Sequence, residues 1–243
     1  MITLLILGFT ALFASALSAI VGMGGGVILL GVMALVLSPQ LVVPLHGVVQ
    51  LASNTTRTIV FLRHVNWTLV GIFGVFITLG VGAAAWLWTG GSVAWIKPLI
   101  GLFILFHLGM RQWAPTLRNP PLWAYAPLGV VAGFLTLYVG ATGPLIAPFF
   151  LRDDLDNEGV IATKAMCQTI GHVLKIPAFL AIGFDYFEHV ELLGILLIVV
   201  IGGTLLGKRV LGHLSNTVFT RLFLGVLTLL ALALAVTPFL PHS

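Results

Sequence analysis

Residues 2–37 read ITLLILGFTALFASALSAIVGMGGGVILLGVMALVL: a long apolar run, the cluster Gly22-Met23-Gly24-Gly25-Gly26, and a shorter apolar run over 27–37. The two runs together make roughly 45–50 Å of helix at about 1.5 Å per residue, against a hydrocarbon core of about 30 Å. The glycine cluster is therefore expected to turn the chain back, giving a hairpin that enters and leaves a bilayer on one side. Small residues around Ala14 and Ala16 resemble a signal-peptide cleavage site. However, no Lys or Arg precedes the run and the chain stays apolar after it, so a retained membrane helix is expected.

The rest of the chain has the same character. Of 243 residues, 59% are apolar and only 7% charged, with 11 Lys/Arg, 7 Asp/Glu and a mean hydropathy of +1.15. A soluble domain carries about 25% charge, so a water-facing surface cannot be built here. Soluble enzyme, secreted scaffold and nucleic-acid binder are excluded on that ground. The expected fold class is an all-α polytopic membrane protein. Cys167 is the single cysteine, which rules out an intrachain disulfide and a Cys-based metal site.

Gly, Pro and charge divide the remainder into helices expected at 41–63, 68–88, 93–112, 122–138, 158–183, 190–207 and 217–237. A second glycine break, Gly140-Ala141-Thr142-Gly143-Pro144, falls after 122–138. Shifting the chain by 118 residues lays 13–67 on 131–185 without a gap, with 11 of 55 positions identical. Val21-Gly22 then meets Val139-Gly140, Gly25 meets Gly143, Gln50 meets Gln168, and Arg57 meets Lys175. Internal repeats with helices broken at corresponding places mark transporters. The expected organisation is one transport domain of two membrane repeats, 1–118 and 119–243.

Loop charge bears on how the repeats face. Eight conventional spans put Arg63, Arg111 and Arg118 on one side and Lys97, Arg152, Lys208 and Arg209 on the other. With a hairpin and three spanning helices in each half, the second half is inverted. All of those cations except Lys97 then share a side, as the positive-inside rule requires. Inverted repeats with hairpins open to opposite faces, and termini on the periplasmic side, are expected, with eight spans as the alternative.

Within 41–63, His46, Gln50, Ser53, Asn54 and Arg57 follow helical spacing and share one face, a stripe about 100° wide. The second half repeats it with Lys164, Gln168, His172 and Lys175. Polar groups at membrane depth normally face a protein-lined or aqueous cavity. Gln50 and Gln168 fall at mid-helix, hence near the midplane. Arg57 and Lys164 are also placed where a long chain could snorkel to the interface. Chain reversals at the glycines free backbone N–H groups, and Pro144 suits the first turn of the half-helix that follows. The expected site binds a small anion. Arg57 and Lys175 balance its charge, Gln50, Gln168, Asn54 and His172 bond its oxygens, and amides at Gly24, Gly25, Gly26, Thr142 and Gly143 close it. His46 and His172 are the expected proton carriers if transport is proton-coupled. The intramembrane segments carry no Asp or Glu, so neither a metal nor a cofactor is expected, and no constellation suits a membrane-embedded enzyme.

At Ser18-Ala19-Ile20-Val21-Gly22-Met23-Gly24-Gly25-Gly26, at the helix carrying Gln50, Asn54 and Thr55, and at Gly133-Phe134 with Gly140 to Pro144, the chain resembles the TauE/SafE-type sulfite exporter family, also called the toluenesulfonate uptake permease family. The resemblance spans essentially the whole chain. It implies a bacterial inner-membrane transporter of sulfite, sulfoacetate or a similar sulfur-containing anion. Leu29-Leu30-Gly31-Val32 departs from the family by lacking a proline, whereas the second half has Pro148. The functional expectation is a secondary transporter working by alternating access, with a passive anion channel as the alternative. The expected partners are the anion, protons and the bilayer, with no nucleic acid; a homodimer is left open.

Overall fold

The computed structural model describes residues 2–22, 24–88 and 119–210, together with 101, 102, 105, 106, 109 and 228. The helices expected at 93–112 and 217–237, and the cations Lys97, Arg111 and Arg118, lie outside or largely outside the described residues.

Eight α-helices have described bounds: α1 (Ile2–Val21), α2 (Gly25–Val36), α3 (Pro39–Val60), α4 (Trp67–Trp86), α5 (Tyr125–Tyr138), α6 (Gly143–Phe150), α7 (Asn157–Ala181) and α8 (Val190–Val210). No strand occurs among the described residues. Local chemistry starts the helices where polar residues permit it. Asn66 caps α4 by accepting from the Leu69 N–H at 3.1 Å, Asp156 caps α7 by accepting from Gly159 N–H at 2.6 Å, and Pro39 opens α3. Three stretches, Ile2–Ile20, Trp67–Trp86 and Phe187–Arg209, are long and apolar enough to cross a membrane. Their outer faces expose large apolar side chains, among them Phe9, Leu79 and Ile198, while His46, Gln50, Asn54 and Arg57 of α3 and Lys164, His172 and Lys175 of α7 are buried. The molecule is thus apolar outside and polar at its centre, which suits a lipid surround.

Both expected breaks are present, and positive φ angles make them. Gly22 has φ +75°, Gly24 +95° and Gly140 +89°, values that a side chain with a Cβ strongly disfavours. After the first break α2 folds back along α1, with the Gly25 N–H on the Ser18 hydroxyl at 3.0 Å. The arms are unequal. The 20 residues of α1 make about 30 Å, a full hydrocarbon thickness, and the 12 of α2 about 18 Å. After the second break α6 returns along α5 until its end meets the start of that arm. Arg152 Nη1 donates to the Pro120 carbonyl at 2.7 Å, and Asn119 and Asp153 exchange bonds of 2.6 and 2.8 Å.

Several of these contacts gather at one end of the bundle. His64, in the short turn after α3, lies 3.2 Å from Asp156 and 2.8 Å from Glu158 at the start of α7. The Lys208 ammonium near the end of α8 stands 5.5 Å from the Phe61 ring at the end of α3. So α3 and α8 end where α7 begins, and the 119–120 and 152–153 segments belong to the same end.

Packing crosses between the halves. Among the described residues the most extensive helix contacts are α4 with α5 and α1 with α8, followed by α3 with α7. Gly22 packs against Ile161, whose Cγ1 is 2.8 Å from where a Cβ would stand, and Gly140 packs against Leu30 and Val43. Residues 22 and 140, and 43 and 161, are each separated by 118. Each break therefore rests on the equivalent residue of the other half's polar helix, the reciprocity of an isologous twofold contact.

Candidate functional site

Between α3, α7 and the two breaks lies a cavity of about 320 Å³ of empty space, its mouth included. The 3.6-residue period brings His46, Gln50 and Arg57 of α3 to its wall, and Lys164, Gln168 and His172 of α7 to the opposite wall. The breaks supply the rest: Ser18, Gly24, Gly26 and Val27 from the first, Ala141 and Gly143 from the second.

The glycines matter because the glutamines press on them. A Cβ at Gly26 would stand 3.2 Å from Gln50 Oε1, and one at Gly143 would stand 2.8 Å from Gln168 Nε2. Each amide thus packs at the break of its own half. Neither glutamine side chain has a hydrogen bond among the described residues, which leaves both amides available to a ligand.

Arg57 is 2% exposed, and its guanidinium is held wholly by neutral oxygens. Nη2 donates to Asn54 Oδ1 at 2.7 Å, Nη1 to the Ser18 carbonyl and Nε to the Ser53 carbonyl, both at 3.4 Å. Asn54 in turn donates to the Gln50 carbonyl at 2.8 Å. Asn54 therefore orients Arg57 and does not line the cavity. Lys175 is likewise set back: fully buried, it donates to the Gly140 carbonyl at 2.8 Å, against the second break, and is not on the cavity wall. The cation that faces the cavity from α7 is Lys164, 1% exposed.

His46 Nε2 donates to the Gly26 carbonyl at 2.8 Å. Its ring meets that of His172 edge to face, centroids 6.2 Å apart, and the Nδ1 atoms of both are buried without a partner among the described residues. Thr142 is buried beside the second break but off the cavity wall, and the Gly25 N–H is occupied by Ser18. Gly24, Gly26 and Gly143 are the break residues of the expected site that do line it. Ser18 does two things that sequence reasoning did not assign: it caps the start of α2 and lines the cavity. Its signal was a lone hydroxyl one turn before Gly22.

The electrostatics are one-sided. All seven Asp and Glu residues of the chain lie in loops or first helical turns, and none is buried. Among the described residues three cations, Arg57, Lys164 and Lys175, are buried. No group of three His, Cys, Asp or Glu able to hold a metal occurs among the described residues.

Broken helices around a buried polar cavity, inside an apolar exterior, suit a polytopic membrane protein, and helices broken in this way recur in transporters. The family model described as Sulfite exporter TauE/SafE matches residues 7–234, and the chain belongs to that family. No curated protein and no solved structure matches it.

Proposed function

We propose that the protein is a secondary transporter of small anions, sulfite or an organosulfonate such as sulfoacetate, working by alternating access around the cavity between α3 and α7. One observation carries this reading: Arg57 and Lys164 face the cavity, and no acidic residue is buried with them. A buried cation with no counterion is costly, and an anion entering the cavity removes that cost. Gln50, Gln168 and the histidines are suited to bond its oxygens, and the unpartnered Nδ1 atoms of His46 and His172 to carry coupled protons.

The same reading takes 1–118 and 119–243 as inverted repeats. Supporting it, α3 ends where α7 begins, Gly22–Ile161 answers Gly140–Val43, and the second hairpin is closed by bonds at the His64 end of the bundle. Arg63, Arg152, Lys208 and Arg209 gather at that end, which the positive-inside rule makes cytoplasmic. The chain is then a multi-pass protein of a bacterial inner membrane, with its N-terminus periplasmic.

Counterflow in proteoliposomes tests the transport reading. Vesicles preloaded with unlabelled sulfite should accumulate labelled sulfite transiently and saturably, and Arg57→Met should abolish this. Flux that rises linearly with concentration and shows no exchange would make the protein a channel.

A further inference from the structure

The duplication places four basic or protonatable side chains in two related pairs, His46 with Lys164 and Arg57 with Lys175. One member of each pair is engaged by a carbonyl at a break: His46 by Gly26 and Lys175 by Gly140, both at 2.8 Å. The other members, Arg57 and Lys164, face the cavity. Arg57 keeps three neutral acceptors. Lys164 has no hydrogen bond and no ion pair among the described residues, although it is 1% exposed.

Resting on the anion reading above, we propose that Lys164 determines specificity as the second cation of the site, so that the site takes small oxyanions of charge −2 in preference to singly charged sulfonates and rejects aminosulfonates. The argument is charge balance in a water-poor space. A dianion neutralises Arg57 and Lys164 together. A monoanion leaves one of them uncompensated, with no buried carboxylate to take its place. A zwitterion brings a further positive charge beside the two that face the cavity. The remaining polar wall, Gln50, Gln168, His46 and His172, bonds oxygen without adding fixed negative charge, so the balance is set by the two cations.

The test is calorimetric titration of the purified full-length protein at pH 8 with thiosulfate, methanesulfonate and taurine, on wild type, Lys164→Met, Lys164→Arg and Arg57→Met. Wild type should bind thiosulfate at least about tenfold more tightly than methanesulfonate, a difference of about 1.4 kcal/mol, and taurine should not bind. Lys164→Met should bring the thiosulfate-to-methanesulfonate ratio close to one while methanesulfonate binding persists, and Lys164→Arg should keep the preference. Equal affinities in wild type, which need no variant to fold, overturn the proposal. So does an unchanged ratio in Lys164→Met. In either case the anion site itself stands if Arg57→Met still loses binding. If Arg57→Met binds every anion as wild type does, the anion reading fails, and this proposal with it.

Discussion

Replacing Lys164 with methionine should stabilise the ligand-free protein. The side chain is buried and shares its cavity with Arg57, and it gives up no hydrogen bond or ion pair among the described residues when replaced. Methionine matches its unbranched shape and adapts to irregular space. What changes is the removal of a desolvated charge and of its repulsion with Arg57. Replacing buried ionic groups with apolar ones of similar volume has stabilised proteins by roughly 1–4 kcal/mol, and the lower half of that range suits a cavity that admits some water. At roughly 2–4 °C per kcal/mol for a chain of this size, the expected rise in Tm is about 2–10 °C. Cys167 is fully buried and is the chain's single cysteine, so a thiol-reactive fluorophore reports unfolding directly. Lys175→Met is the contrasting variant: it strips the Gly140 carbonyl of its 2.8 Å partner. It should lower stability by about 1.5–3 kcal/mol, the usual worth of a hydrogen bond to a charged group. A fall in Tm for Lys164→Met comparable to that for Lys175→Met would contradict this, because the Lys164 ammonium would then be compensated by the protein itself.

Gly25→Ala should disrupt the first hairpin, since a Cβ there would overlap the Ala14 carbonyl oxygen and the Ser18 hydroxyl. A loss of about 1–3 kcal/mol or more is expected, read as reduced folded yield, whereas Gly71→Ala has open space and should be silent. In a Cys167→Ala background, single cysteines at Arg63 and Asp153 should react with an impermeant maleimide from one side of the membrane and a cysteine at Ser38 from the other; labelling of all three from the same side would sink the inverted arrangement. The Arg152 guanidinium, 2.7 Å from Asp154, holds that carboxyl below its ordinary value. A lowered carboxylate pKa contributes stability above the unfolded value of about 4 and loses it as pH falls through the folded value. The Tm difference between wild type and Arg152→Ala should therefore narrow below about pH 4, and a difference that widens there contradicts the assignment.

What could be read from the sequence was whatever repeats with a helical period or breaks one. The stripe from His46 to Arg57 and its counterpart from Lys164 to Lys175 follow from that period and from the cost of polar groups in lipid. The breaks follow from the glycines, two of which, Gly22 and Gly140, adopt the same left-handed backbone 118 residues apart. The paths of the long side chains were not legible. Arg57 and Lys175 align, yet their ends diverge, because the carbonyl of Gly140 lies within reach of an ammonium while the guanidinium finds Asn54, one turn away on its own helix. The unequal first hairpin was equally hidden, since summed apolar length constrains a turn but not its depth. Duplication supplies a twofold frame, but a small ligand with one net charge distribution is not itself twofold. The departures from symmetry are therefore where selectivity should be sought: at position 164 against 46, and at position 57 against 175. A chain with the matched residue at both 46 and 164 would present a different total charge to the same cavity, with the helices unmoved, whereas matching 57 and 175 would keep the charge and change only where it sits.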